Sequence, residues 1–312
     1  MILNTGQRTD IPAFYSDWLI NRIHAGFVLV RNPWYPQQVT RYRIDPSVVD
    51  LIAFCSKNPA PMLSKLSEIA AYRQFWHVTI TPYGRDLEPC VPPVQEVMET
   101  FRTLSQIVGS SHIAWRYDPI IISDRYTVDF HIDAFRKMCE QLSGYTHQAI
   151  ISFIDLYEKT KRNLPGAREV SESDRLKIGK AFSAIGRKYN MRLIACHEGT
   201  DLKPYGFDCT GCMTRRTVEQ VFGEELDVPS SVTPARKDCN CLLGGDIGAY
   251  DSCGHGCLYC YANQTPELAR QRMAEHDPAS PFLIGHAMPG DIIHEAHHSR
   301  WFTGQTVMVP FL

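Results

Sequence analysis

The chain has 312 residues, of which 44% are hydrophobic and 21% charged, and its formal net charge is −2. That composition suits a globular protein with a sizeable core and offers no basic footprint, so a nucleic-acid partner is disfavoured. No apolar run is long enough to span a membrane and the N-terminus has no signal-peptide pattern, so a soluble, cytoplasmic protein is expected.

In chain order, short apolar runs recur at 26–30, 50–54, 75–80, 112–116, 148–153 and 191–195. Residues 94–108, 129–142 and 172–189 carry helical periodicity between or beside them. Apolar strands alternating with amphipathic helices read as βα units around a parallel sheet buried on both faces. The pattern predicts an α/β fold, a TIM-like (βα) barrel, complete or partial; a doubly wound open sheet fits it too. Polar residues follow the strands: Arg31-Asn32-Pro33, Ser56-Lys57-Asn58-Pro59, Thr79-Ile80-Thr81-Pro82, Arg116-Tyr117-Asp118-Pro119, Ser152-Phe153-Ile154-Asp155 and Cys196-His197-Glu198. In parallel α/β folds the C-terminal strand ends form one mouth, where these groups would meet. Loop polarity and turn prolines alone give a similar look at any one position. The repetition favours a site.

Near residue 200 the character changes. Of the 11 cysteines, Cys209, Cys212, Cys239, Cys241, Cys253, Cys257 and Cys260 fall in 200–263. Without an export signal, so many thiols argue for metal rather than disulfides. The chain thus divides into βα units over 1–199, a metal-organised segment over 200–263, and a C-terminal helix with a returning tail over 264–312. Helices are expected at 214–222 and 265–276, the second behind a Thr-Pro cap, and a strand at 282–285.

Cys253, Cys257 and Cys260 are spaced C-x3-C-x2-C on a glycine-rich loop. Three thiolates can hold three irons of a cubic [4Fe–4S] cluster and leave the fourth iron open to a small molecule. The alternative is zinc completed by His255, Cys239 or Cys241, although zinc knuckles favour paired ligands. Cys196, Cys212, Cys239 and Cys241, with Cys209 spare, read as an auxiliary site for zinc or a second [4Fe–4S] cluster, or else as free and buried thiols. Cys55, Cys90 and Cys139 stand alone and read as structural. His294-Glu295-Ala296-His297-His298 matches the H-E-x-x-H protease pattern, but no further ligand type follows it. An exposed helix end is the plainer expectation there.

The loop Cys253-x-His255-x-Cys257-x-Tyr259-Cys260-Tyr261-Ala262 resembles the cluster loop of the radical S-adenosylmethionine (SAM) superfamily, especially its spore photoproduct lyase-like branch. Leu87-Glu88-Pro89 with Pro92-Pro93, and Arg116-Tyr117-Asp118-Pro119, are similar to that branch's middle strands. Ser56-Lys57-Asn58 falls where its Thr-Lys-Ser strand end would be. In that branch the loop follows the first strand; here it comes last, an order that a ring of βα units tolerates. The whole chain resembles domain-of-unknown-function family 1848, with a radical-SAM-type cysteine cluster at the C-terminus.

The resemblance implies an enzyme whose [4Fe–4S] cluster, on Cys253, Cys257 and Cys260, binds SAM and cleaves it reductively to start radical chemistry on an unknown substrate. It also implies a reducing partner such as flavodoxin or ferredoxin. Tyr259, Asn263, Lys57, Asn58, Thr79, Thr81, Arg116, Asp118 and Ser152 are the expected cofactor contacts, with His197 and Glu198 facing substrate. Arg116 with Asp118 reads equally as a structural ion pair. No nucleophile–base pair is legible, so no acid–base catalyst is assigned. The rival class is a noncatalytic iron–sulfur or zinc protein for electron transfer or partner binding.

Overall fold

The computed structural model describes residues 1–230, 232, 239–242 and 244–307. Its strands are β1 (Ile2–Asn4), β2 (Phe27–Arg31), β3 (Gln38–Arg43), β4 (Leu51–Ser56), β5 (Gln74–Thr79), β6 (Ile113–Ile120), β7 (Gln148–Phe153), β8 (Arg192–Ala195), β9 (Glu224–Leu226), β10 (Gly245–Asp246), β11 (Ile292–Glu295) and β12 (Phe302–Thr306). Its α-helices are α1 (Ile11–Phe14), α2 (Ser16–Ala25), α3 (Val94–Val108), α4 (Val128–Leu142), α5 (Glu158–Asn163), α6 (Glu172–Lys188), α7 (Arg215–Phe222) and α8 (Pro266–Ala274).

A parallel 7-stranded sheet runs in the order β10-β1-β4-β5-β6-β7-β8. From β1 onward the order advances one way without reversal. Right-handed crossovers then carry the connecting helices to one face. There α2, α3, α4 and α6 bury Trp18, Phe101, Phe135 and Phe182 against Phe54, Trp76, Trp115 and Ile151. A fully buried side chain of the Phe class is worth roughly 1.5–3 kcal/mol. Alternate strand residues point the other way. Ile2, Ala53, Phe75, Ala114, Ile150 and Ile194 form that second face, covered by Met213, Val218 of α7, Leu242, Trp301 and Phe302. Cover on both faces is why the strands read as unbroken apolar runs.

The runs at 50–54, 75–80, 112–116, 148–153 and 191–195 became β4 to β8. The run at 26–30 is β2, but it lies outside the large sheet, in a smaller one ordered β11-β3-β2. Its expected place belongs to β1, too short to show a period. Among the described residues β8 and β10 do not pair, so the sheet is not a closed barrel. An isolated parallel bridge, Ile194 with Asp208, adds one further position beside β8. The doubly wound alternative also fails, because the βα helices share one face.

Helices expected at 214–222 and 265–276 are α7 and α8, capped by the side chains of Thr214 and Thr265. Residues 282–285 form no strand, only an isolated bridge between Phe282 and Leu29. The H-E-x-x-H segment corrects another expectation. His294 and Glu295 lie in the exposed strand β11, paired with β3, so the pattern is not the helical zinc motif. Among the described residues no helix is long and apolar enough to cross a membrane.

Candidate metal centre at the C-terminal edge of the sheet

The cluster loop follows β10 and is fastened by two buried carboxylates. Asp10, just past β1, caps α1 by accepting from the Ala13 N–H at 3.1 Å. Its Oδ2 accepts the Lys57 backbone N–H at 2.7 Å and pairs with His255 Nε2 at 2.8 Å. One side chain therefore joins the exits of β1 and β4 to the loop. With Nε2 committed to Asp10, His255 Nδ1 is buried without a hydrogen-bond partner.

Glu88 is the second anchor. Its Oε1 accepts from Lys57 Nζ at 2.8 Å, from Thr81 Oγ1 at 2.6 Å and from the Tyr259 hydroxyl. Lys57 Nζ also stands 5.6 Å from the centre of the Tyr259 ring. Burial works against the Lys57 ammonium, yet Glu88 and Cys257 outweigh it and hold its pKa above the ordinary value. Burial, then Glu88 and Cys257, keep the Tyr259 phenol protonated well past its usual range.

Backbone bonds complete the seat. Cys90 N donates to His255 O at 3.1 Å and Leu258 N to Leu87 O at 3.0 Å. From α5, Lys159 Nζ donates to Cys260 O at 2.7 Å and Asn163 Nδ2 to Leu258 O at 3.1 Å. Asn263 closes the loop's base: its amide donates to Cys253 O at 2.7 Å and accepts from Cys253 N at 3.4 Å. Gly256 sits at φ 67°, left-handed backbone that a side chain would strain.

Burial, then Asp10 and Cys260, push the Cys253 thiol well up. Burial likewise raises Cys257 to about 12, with Lys57 pulling down and Glu88 pushing up. Such thiols stay protonated until a cation supports the thiolate. Donors already aim at sulfur: the His255 backbone N–H at Cys253, and that of Ala262 at Cys260, 3.3 Å away. Among the described residues no three His, Cys, Asp or Glu side chains are already grouped as a metal cage. The fit of a thiolate-bound metal group rests on the donor set, the N–H···S bonds and the absence of disulfides.

A second group lies further along the same edge. Arg116 pairs with Asp118, whose other oxygen accepts from Ser152. The guanidinium also donates to Cys212 Sγ at 3.3 Å. Burial opposes both charges, but the partnership wins: Asp118 is held below the usual carboxylate range and Arg116 above its own. Beside them Cys196, Cys212, Cys239 and Cys241 share the second face. Cys209 packs toward the helix-bearing side.

The structure draws together Lys57, Thr81, Tyr259 and Asn263 around the loop, and Arg116, Asp118 and Ser152 beside the second cysteine group. Thr79 is buried at the end of β5. Asn58 instead accepts from Ala60 N at 3.3 Å, turning the chain into the 3-10 helix Ala60–Ile69. Glu198 bonds Phe153 N at 2.7 Å and Arg175 at 2.9 Å, which braces the end of β7. Its neighbour His197 is exposed, at φ 62°.

Asp10, Lys159, Asn163 and His77 escaped sequence reasoning, and Glu88 was seen only as part of Leu87-Glu88-Pro89. His77 is buried on β5 with Nε2 unpartnered, its ring against the Cys212 carbonyl. Burial and then Arg116 lower its pKa to about 3, so it stays neutral. The Thr-Asp-Ile-Pro pattern could have marked Asp10 as a helix start, but nothing in sequence links it to a loop at residue 255.

These features define an α/β protein with an open parallel sheet and a cysteine-rich cover over one face. Residues 2–262 match the family described as Domain of unknown function (DUF1848), and the chain belongs to that family. No curated protein matches the chain, and no solved structure does.

Proposed function

We propose that the protein is a radical SAM enzyme acting on an unknown substrate. The observation that carries this reading is the C-x3-C-x2-C loop seated over the sheet's C-terminal edge by Asp10–His255 and Glu88–Tyr259. Cys253, Cys257 and Cys260 would hold a [4Fe–4S] cluster. When bound, that group supplies one electron for reductive cleavage of a carbon–sulfur bond of SAM, with one iron free of protein ligands. In this reading the sheet is a barrel opened between β8 and β10, and its C-terminal edge is the mouth.

The chain's own residues would position and shield. Lys57, Arg116 and Asp118 offer two cations and an anion to the methionine carboxylate and ammonium; Thr79, Thr81, Ser152 and Asn58 are the neighbouring polar groups. Tyr259 fixes the loop through Glu88 and covers its flank, while Asn263 sets the loop's base. His197 is the rim residue left for substrate, with Glu198 holding the strand beneath it. Keeping water from the reacting centre is the task of the packed loop. Flavodoxin or ferredoxin would serve as electron donor.

The test is anaerobic reconstitution with iron and sulfide, reduction, and incubation with SAM. 5′-Deoxyadenosine or another SAM cleavage product is expected, and none from the Cys253→Ala/Cys257→Ala/Cys260→Ala variant. A loaded, reduced cluster that leaves SAM intact would return the protein to the noncatalytic class. Colourless protein carrying only zinc would remove the cluster as well.

A further inference from the structure

We propose that Cys196, Cys212, Cys239 and Cys241 hold a single tetrahedral metal ion of zinc type, not a second iron–sulfur cluster. This does not depend on the function proposed above. Cys212 Sγ lies 3.8 Å from Cys196 Sγ and 3.6 Å from Cys241 Sγ. Two thiolates on one tetrahedral ion, with metal–sulfur bonds of about 2.3 Å, stand about 3.8 Å apart. In a cubic cluster each thiolate has an iron to itself, and in a [2Fe–2S] pair it shares its iron with one other. Cys212 has two partners at a tetrahedral edge, which a single ion provides and a cluster does not.

The surroundings treat these sulfurs as acceptors. Cys241 Sγ accepts the backbone N–H groups of Cys212 at 3.2 Å and Met213 at 3.4 Å. Arg116 donates to Cys212 at 3.3 Å. Gly211 makes the approach feasible: its φ is +133°, and a Cβ there would stand 2.8 Å from Cys241 Sγ. Cys239 is buried in the same cluster with Cys212 and Cys241, with Cys196 packed against it.

Loading exchanges four S–H bonds for metal–sulfur bonds and releases the four protons to solvent. The resulting negative charge is offset by Arg116 and the N–H donors. No cage is yet closed among the described residues; two edges already stand at the right separation. Occupied, the site would bolt the end of β8 to the segment covering the second face.

The test uses the full chain bearing Cys253→Ala, Cys257→Ala and Cys260→Ala, so that the cluster loop cannot contribute. Metal analysis and zinc X-ray absorption should give about one zinc per chain with four sulfur neighbours near 2.3 Å. Cys212→Ser should lose the zinc and Cys209→Ser keep it. If Cys212→Ser does not fold, the parent's absorption spectrum decides alone. Iron in the site, metal–metal scattering, a nitrogen neighbour or folded protein without metal would each overturn the proposal.

Discussion

Asp10 and Glu88 each take several donors with a single buried carboxylate, and this concentrates risk. Lys57 and Glu88 form a nearly buried pair, with side chains 14% and 4% exposed. Removing one member of such a pair strands the other, typically at about 3–5 kcal/mol. Glu88→Ala should therefore destabilise the fold by about that much in urea titration. Lys57→Met/Glu88→Leu should cost clearly less, because no charge is left behind. Equal losses for the single and double variants would show that the pair is not what Glu88 supports. Spacing made the three loop cysteines legible, whereas Asp10 and His255 meet from opposite ends of the chain.

At the level of elements, α4 presses His131 against β6. Its Nδ1 bonds the Tyr117 hydroxyl at 2.7 Å and its Nε2 the Ile121 carbonyl at 2.9 Å. Burial lowers its pKa from 6.5 to about 4, so the unfolded chain binds the extra proton first as pH falls. Stability from this group is full above pH 6.5 and is lost on the way down to about 4. Between pH 7 and 5 the loss should be about 2 kcal/mol, and His131→Gln should abolish that component of the pH dependence in denaturant titrations. An unchanged slope would contradict the assignment. Thr127 caps the same helix by accepting from Phe130 N at 3.1 Å, and Thr127→Ala should cost about 1 kcal/mol. Elements with a long period or a clear cap were legible: α3 has the bounds expected for it, and β7 does too. β1 and β11 were not, because three or four residues carry no period and β11 gains its pairing from β3 across the chain.

For the whole molecule, the sheet has helices on one face and the cysteine-rich segment on the other. If a metal ion fastens that segment, a strong chelator should lower the melting temperature by several degrees and bring protease cleavage into residues 200–245 before the βα units. Calorimetry and timed proteolysis would measure this; a melting temperature indifferent to chelation would argue that packing of Met213, Val218 and Leu242 suffices. An α/β class with a parallel sheet follows from alternating patterns, whereas one-way strand order does not, because a doubly wound sheet shows the same alternation. That the ends of this sheet stay apart among the described residues turns on β10 and on the lone bridge at Asp208, which are too short to read in the sequence.

The pairing of β10 with β1 also sets a schedule for synthesis. A ribosome makes the chain from its N-terminus at about 5–20 residues per second, and folding follows as the chain emerges. β1 emerges first, while its neighbour on one side arrives after every other strand of the large sheet. Until then that edge is bare, open to pairing with another chain. The cysteine loop follows β10 directly, so the bare edge of β1 is covered and the loop delivered together, once β4 to β8 have emerged and with only α8, β11 and β12 still to come.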